Sequence, residues 1–200
     1  MSSISENWNG CADHTSNISC QLTWTDPIGQ TMWRLTGERA QTLATGEGRQ
    51  RAEHDLATDD HEVQATLASS NWSSGTLKLG VAARYKTINA SSELYRWAAE
   101  LSNSPQRWVL YKLAGGTWTL LGSAEQAIVV GDVMKLRCDG STITGFVNGV
   151  ALVTVTDTAV VGHTRCGLWG ESGTADVATI DDWSAADLPE PQNLMGAVLA

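Results

Sequence analysis

The sequence predicts an all-β protein, an antiparallel β-sandwich, and this prediction rests on composition and turn signals. The 200 residues include 19 Gly but only 18% charged residues, a composition that suits many short strands and turns. Asp139-Gly140, Asn148-Gly149 and Gly115-Gly116 are typical of tight hairpin turns, and each lies between segments of high strand propensity. No segment has a convincing helical pattern, and 42% hydrophobic residues are enough for a core.

The two turns after residue 131 predict a meander of three strands at about 133–138, 142–147 and 150–155. If Asp139-Gly140 is the two-residue loop, Leu136 lies opposite Ile143 and Met134 opposite Gly145. Alternation then predicts one core face, made of Met134, Leu136, Cys138, Ile143, Val147, Val150 and Leu152. The other face is mixed, with Lys135, Arg137, Thr142, Thr144, Phe146, Val153 and Val155. It suits a solvated or partly covered surface, and a sugar-binding surface is the alternative.

Earlier strands are predicted at about 32–36, 49–55, 62–68, 77–86, 107–113 and 118–121. The second and third of these are expected to pair across Asp59-Asp60. In segment 77–86, Tyr85 is expected on the face of Leu77, and Arg84 on the other. Segment 93–101 has a composition that could form a helix, but its position between hairpins favours a strand.

The charge of the chain excludes some partners. The net charge is -9 and the pI about 4.8, without a basic run, so nucleic acid and anionic membranes are not expected partners. The first ten residues lack the features of a signal peptide, and no apolar run reaches the length of a membrane span. The protein is expected to be made in a cytoplasm.

Four cysteines allow three pairings. Pairing of Cys11 with Cys20 and of Cys138 with Cys166 is the easiest, and free buried thiols are the alternative. The spacing does not suit zinc, because no Cys-x-x-Cys or Cys-x-x-His pair occurs.

The last segment, residues 189–200, differs from the rest. Pro189 and Pro191 precede an apolar end, which predicts a domain edge near residue 188. An apolar end on an acidic protein is expected to bury itself against its own domain or another subunit.

Several segments together resemble a known family. They are KLRCDGSTITGFVNGVAL, GHTRCGLWG and IDDWSAADL in the second half, with ENWNG, GVAARY and YRWAAEL in the first. This layout resembles the concanavalin A-like, laminin-G-like jelly roll, and the resemblance spans about residues 6–188. It implies one jelly-roll domain at 1–188. The family includes lectins, carbohydrate-binding modules, glycosidases, lyases and adhesive domains, so the fold alone does not decide the function.

Domains of this kind without signal peptides are similar to those on bacteriophage heads and tails. The resemblance therefore implies a non-enzymatic virion structural protein, a minor tail or capsid decoration protein, that binds host surface glycans. Its partners would be other virion subunits, through residues 189–200, and bacterial polysaccharide. A carbohydrate-binding adhesin module is the alternative, and a polysaccharide-degrading hydrolase or lyase is the second alternative.

The sequence contains no complete set of catalytic residues that is typical of this family's enzymes. Glucanases of the family carry Glu-x-Asp-x-x-Glu on one strand, but after Glu53 and Asp55 the chain has Thr58 in place of the second Glu. A lyase could use Tyr85, Tyr95, Arg84 and Arg96, but strand alternation gives this set little specificity. No catalytic residue is therefore assigned.

Sugar binding needs aromatic rings beside polar groups. Trp72, Trp97, Trp108, Tyr111 and Trp118 could supply rings, although most Trp are expected in the core. The predicted ligand-binding residues are Arg84, Trp97, Arg107, Tyr111, Lys135 and Arg137.

No cofactor is expected, and a structural calcium is the exception that the resemblance raises. In jelly rolls of this family, calcium often lies between the first and last strands, where Glu6, Asp13, Asp181 or Asp182 could serve. The acidic run between Glu53 and Glu62 is expected to be a solvated hairpin rather than a metal site.

Overall fold

A computed structural model describes residues 2–9, 11, 22–25, 33–42, 46–71, 77–86, 92–101, 104–172 and 177–189. Within these ranges the secondary structure is β-strand and turn, without a helix. The strands are β1 (Ser3–Glu6), β2 (Trp24–Thr25), β3 (Trp33–Thr36), β4 (Arg39–Thr42), β5 (Gly46–Ala52), β6 (His61–Asn71), β7 (Leu77–Lys86), β8 (Glu93–Glu100), β9 (Arg107–Ala114), β10 (Thr117–Glu125), β11 (Val133–Asp139), β12 (Thr142–Val147), β13 (Val150–Thr156), β14 (Gly167–Ser172) and β15 (Val177–Asp187).

These strands form two antiparallel sheets. The eight-stranded sheet has the order β13-β12-β11-β6-β15-β4-β3, with β1 also paired to β15. The seven-stranded sheet has the order β10-β9-β8-β7-β14-β5-β2. Side chains from both sheets share one buried core, which contains Trp33, Trp97, Trp108, Leu136 and Trp183. The predicted antiparallel β-sandwich is confirmed, and so is the strand at 93–101.

The predicted meander β11-β12-β13 is confirmed with a corrected register. Asp139 pairs with Thr142, so the loop is Gly140-Ser141, and Leu136 lies opposite Gly145 rather than Ile143. The correction displaces each partner by two residues, which leaves every side chain of β11 and β12 on its predicted face. Leu136 and Ile143 are accordingly fully buried.

The second hairpin departs from the predicted faces because it contains a bulge. Val147 pairs with Val150 as predicted, but Phe146 pairs with Ala151 and Gly145 with Val153, which leaves Leu152 as an extra residue. The extra residue reverses the alternation beyond it. Val153 therefore turns into the core at 8% exposure. Val150 precedes the bulge and keeps its predicted partner, but it was predicted inside and is 62% exposed on this edge strand.

The predicted hairpin across Asp59-Asp60 is wrong. β5 pairs with β14 and β2 in one sheet, whereas β6 pairs with β11 and β15 in the other. The acidic segment between them is thus a crossover from sheet to sheet. Asp60 Oδ1 accepts hydrogen bonds from Arg84 Nη2 at 3.0 Å and from the Gly140 amide at 2.7 Å, so the segment is anchored here, although Asp55 and Asp60 remain largely exposed to solvent.

Arg84 occupies the centre of this crossover instead of a ligand-binding surface. The backbone of Arg84 has φ 47 at a bulge in β7, and its side chain is buried. Besides Asp60, the guanidinium donates to the carbonyl oxygens of Asp59, Val160 and Gly140 at 2.8, 3.1 and 2.7 Å. The bulge also turns Tyr85 to the face of Ala82, away from the predicted face of Leu77. A guanidinium with this many protein acceptors holds loops together.

His61 lies beside Arg84 and is fixed as the neutral imidazole. Its Nδ1 is 3.1 Å from the Thr58 carbonyl oxygen, to which it donates, and its Nε2 accepts from the Arg84 amide at 3.1 Å. Burial lowers the pKa of His61 below its ordinary 6.5. Protonation would add a buried charge and remove the acceptor of the Arg84 amide.

Folding stability should therefore fall as the pH drops below about 6.5, where the unfolded chain binds a proton at His61 and the folded chain does not. The expected slope approaches about 1.4 kcal/mol per pH unit in this window. Urea unfolding at pH 7.5, 6.5 and 5.5 measures it. A His61→Gln variant should lose the pH dependence that His61 contributes. If the unfolding free energy of the variant depends on pH as strongly as that of the wild type, groups other than His61 cause the dependence.

The cysteines follow two different patterns. Cys11 is disulfide-bonded, and its predicted partner, Cys20, lies outside the described residues. Cys138 and Cys166 are free and buried, so the predicted bond between them does not form. Burial raises the pKa of the Cys138 thiol to about 12.

Residues 190–200 also lie outside the described part of the chain, so the predicted docking of the apolar end stays a prediction. Among the described residues, no helix is long and apolar enough to cross a membrane.

Candidate functional site

The outer face of the seven-stranded sheet carries a cavity of about 450 Å³. Six strands supply its lining, which consists of Gly46 and Glu47 of β5, Lys78 of β7, Arg96 of β8, Tyr111 of β9, Trp118 of β10, and Trp169, Glu171 and Ser172 of β14. The small residues Gly80, Ala82 and Ala98 lie beneath larger side chains of this face and are buried, so they do not line the cavity. This volume lies in the range of small-molecule sites.

Three aromatic rings line the cavity. Trp118 meets Trp169 edge to face with ring centroids 6.0 Å apart, and it meets Tyr111 in the same way at 6.3 Å. Trp169 is buried, whereas Tyr111 and Trp118 are half-buried. The two half-buried rings thus offer apolar surface to a ligand.

Arg96 lies inside this aromatic cluster. Its guanidinium carbon is 3.4 Å from the ring centroid of Trp169, 4.1 Å from that of Trp118 and 4.5 Å from that of Tyr111. The side chain is 4% exposed, and among the described residues its Nε has no hydrogen-bond acceptor. Burial lowers the pKa of Arg96 to about 10, which still leaves it charged at neutral pH.

A row of charged residues crosses the sheet beside the rings. Cross-strand partners follow one another from β5 to β9 in the order Glu47, Glu171, Lys78, Glu100, Arg107. Lys78 Nζ is 3.1 Å from Glu171 Oε2 and 3.5 Å from Glu100 Oε1. Arg107 Nε donates to Glu100 Oε2 at 2.5 Å, which raises the pKa of Arg107. Alternation of sign stabilises the row except at Glu47 and Glu171, which are like charges directly opposite each other.

The negative charge of Glu47 is balanced by Arg49, which lies in the same strand, β5. Glu47 Oε1 accepts a hydrogen bond from Arg49 Nε at 2.8 Å and another from Trp169 Nε1 at 2.8 Å. The guanidinium carbon of Arg49 also lies 5.3 Å from the ring centroid of Trp118. Both cleft carboxylates, Glu47 and Glu171, are therefore engaged by protein donors.

One of the six predicted ligand-binding residues, Tyr111, lines the cavity. Arg107 lies at the end of the charged row and is not among the lining residues.

Trp97, also predicted to bind ligand, is a core residue. It is fully buried and stacks on Trp108, with ring centroids 5.9 Å apart. Its Nε1 donates to the Phe146 carbonyl oxygen at 3.0 Å, and a Cβ on Gly145 would lie 2.4 Å from its ring. Gly145 thus provides the space that Trp97 fills.

Lys135 and Arg137 lie on the outer face of the other sheet. Arg137 Nη2 and Lys135 Nζ lie 2.7 and 3.3 Å from Glu62 Oε2, and both cations lie near the Phe146 ring. With Arg84 and Trp97 buried, the structure does not bring the six predicted residues into one site.

Sequence reasoning missed several residues of the cleft, namely Glu47, Lys78, Trp169 and Glu171, and it considered Arg96 only for a lyase. Glu47 lies in β5, Lys78 in β7, and Trp169 and Glu171 in β14. No local signal in the sequence could have indicated the site, because strand pairing alone brings these three segments together.

Two of the residues suggested for calcium have protein partners. Glu6 accepts hydrogen bonds from the amides of Trp8 and Leu22, and Asp181 lies 3.5 Å from Arg39 Nε. Asp13 lies outside the described residues. Across the described ranges, no group of three or more His, Cys, Asp or Glu side chains could hold a metal ion.

Comparison of sequences finds no match, because no family model fits the chain and no curated protein matches it. Comparison of structures finds many similar folds. One is the carbohydrate binding module CBM66 from Bacillus subtilis, with a TM-score of 0.65 and 15% identity over 84% of this chain and 98% of that one.

Another similar structure is a β-1,3-1,4-glucanase (lichenase) derived from a mouse hindgut metagenome, with a TM-score of 0.66, 10% identity, and coverage of 94% and 99% of the two chains. A third is the carbohydrate recognition domain of Emp46p, with a TM-score of 0.60, 11% identity, and coverage of 88% and 95%. At these identities the likeness shows the fold. The fold is the concanavalin A-like jelly roll that the sequence predicts.

Proposed function

We propose that this protein is a non-catalytic carbohydrate-binding module and that its binding site is the cleft on the outer face of the seven-stranded sheet. The observation that carries the proposal is the cavity of about 450 Å³ in which two half-buried rings, Tyr111 and Trp118, lie beside charged hydrogen-bonding groups. Aromatic rings bind the apolar faces of sugars, and polar groups bind their hydroxyls.

The names of similar structures support the same proposal. One is a carbohydrate binding module and another is a carbohydrate recognition domain. The glucanase among them represents the enzymatic alternative. The carboxylates of the cleft favour binding over hydrolysis. A glycosidase needs a protonated acid facing the glycosidic oxygen, whereas Glu47 and Glu171 accept hydrogen bonds from Arg49, Trp169 and Lys78.

A Trp118→Ala variant should lose most of the glycan affinity, because the ring is the exposed aromatic centre of the cleft. The expected loss is about 2 kcal/mol, roughly thirtyfold in Kd. Isothermal titration against a panel of bacterial and plant polysaccharides measures it, and assays for reducing-end release in the same samples should show no hydrolysis.

Phe146→Ala is the matched control, because Phe146 is the ring beside Lys135 and Arg137 on the other sheet. It should bind like the wild type. Binding that is lost in Phe146→Ala and kept in Trp118→Ala would move the site to the face that the sequence predicts. Release of reducing ends would make the protein an enzyme.

The location of the module is a further part of the proposal. The sequence resemblance to domains on phage heads and tails suggests a virion surface, with residues 189–200 joined to other virion subunits. This part rests on the resemblance alone.

A further inference from the structure

We propose that the cleft selects anionic glycans, whose carboxylate or sulfate oxygens accept hydrogen bonds from the Arg96 guanidinium. This inference rests on the proposed function, and it names the class of sugar that the same cleft would take. Three observations support it: the missing partner of Arg96, the balance of charge in the cleft, and the orientation that the rings impose.

Arg96 has an unsatisfied donor at the base of the cavity. Its side chain lines the cavity at 4% exposure, yet within the described residues its Nε has no acceptor. Buried polar groups in proteins are nearly always hydrogen-bonded, and a charged group left without a partner is costly. Arg84, which is buried more deeply, donates to four protein oxygens. The Nε of Arg96 is itself buried, so an acceptor from outside the chain would meet the other N–H donors of this guanidinium.

Arg96 has no carboxylate within ion-pair distance among the described residues, although Glu47, Glu171 and Glu100 lie near enough to oppose the lowering of its pKa by burial. Glu47 is hydrogen-bonded to Arg49, and Glu171 to Lys78. Among the lining residues that the structure describes, Lys78 forms ion pairs and Arg96 forms none. An anion bound at Arg96 would therefore complete the pairing of charges, although the chain as a whole carries -9. Selection would depend on this buried group and not on long-range attraction.

The rings determine which part of the guanidinium a ligand can reach. Trp169 and Trp118 lie 3.4 and 4.1 Å from the guanidinium carbon, within the distances of cation–π contacts. Because the Trp118 and Trp169 rings are inclined at 69° to each other, the planar guanidinium can lie flat against at most one of them. The N–H donors that the rings leave uncovered suit the oxygens of carboxylate or sulfate. A sugar ring against half-buried Tyr111 and Trp118 would bring an acidic substituent towards these donors.

The first test compares ligands on the unchanged protein. Isothermal titration with polygalacturonate and its fully methyl-esterified form separates charge from sugar shape, because the ester keeps the sugar and removes the charge of the carboxylate. Dextran sulfate and uncharged dextran form the corresponding pair for sulfate. We expect at least one anionic glycan to bind at least tenfold more tightly than its uncharged form. A preference within the first pair would identify carboxylate as the anion, and a preference within the second would identify sulfate.

The second test uses variants. Arg96→Gln should lose at least tenfold in affinity for the anionic ligand, and Arg137→Gln on the other sheet should lose none, with thermal unfolding recorded for both. Equal affinity within both pairs, each anionic glycan against its uncharged form, would overturn the inference whether or not the Arg96 variant folds. If an uncharged glycan binds and Trp118→Ala abolishes that binding, the proposed function stands and the selection for anions fails. If no glycan of any kind binds, both fail.

Discussion

Leu136→Asp is expected to unfold the domain. Leu136 is fully buried between Val63 and Gly145, its cross-strand neighbours in β6 and β12. The substitution removes a buried aliphatic side chain, which costs about 2–5 kcal/mol, and adds a carboxyl group without a buried partner, which costs several more. The sum is comparable with the total stability of about 5–15 kcal/mol that is typical of a domain. Circular dichroism during thermal unfolding measures the outcome.

Val150→Asp is the matched control for this prediction. Val150 lies in the same meander and was predicted in the core, but it is 62% exposed on an edge strand. The same substitution there should cost at most about 1 kcal/mol. A folded Leu136→Asp variant together with an unfolded Val150→Asp variant would show that the core and outer faces of the meander are assigned the wrong way round.

Arg84→Met should destabilise the protein by about 3–5 kcal/mol, the usual effect of removing one partner from a buried charged network. Methionine fills similar space but donates no hydrogen bond. The carbonyl oxygens of Val160 and Gly140 and the carboxylate of Asp60 would each lose a donor. Urea unfolding followed by tryptophan fluorescence measures the change.

Arg137→Met is the control for Arg84→Met. The ion pair of Arg137 with Glu62 is partly solvated, because the Arg137 side chain is 40% exposed. Such pairs contribute about 0–1 kcal/mol to the free energy of unfolding. Equal losses in the two variants would mean that Arg84 contributes no more than a surface cation.

The sequence predicts side-chain alternation better than it predicts strand pairing. Leu136 and Ile143 lie in the core as expected, although their partners are displaced by two residues, because alternation depends only on whether a position is odd or even. Local signals also identify the hairpin at Gly115-Gly116, where Ala114 pairs with Thr117. Pairings between segments far apart in the chain have no such local signal.

Two β-bulges account for errors in predicting which face of a sheet a side chain lies on. The extra residue Leu152 moves the Val153 side chain to the opposite face of its sheet. The bulge at Arg84, where φ is positive, does the same to the Tyr85 side chain. The position of a bulge depends on packing against the opposite sheet, so the sequence of the strand that contains it gives little indication of where the bulge lies.

The cleft illustrates the same difficulty for function. Glu47, Trp169 and Arg96 lie on three strands, and β14 is inserted between β5 and β7 although it is far from both in sequence. The sequence indicated that rings and arginines would form the site. Only the order of the strands shows that Arg96, and not Arg84, lies among the rings.

The bulges also bear on how the molecule avoids self-association. β10 and β13 are edge strands, and a regular edge strand can pair with another copy of the same chain. Each contains an irregularity, at Leu120/Gly122 and opposite Gly145/Phe146, and the two meet where a Cβ on Gly122 would lie 2.6 Å from Val153. The sandwich is thereby closed along this side by two kinked strands that offer a poor template for polymer growth. The bulge in β13, which misleads the prediction of its faces, thus also makes this edge a poor partner for a second copy of the chain.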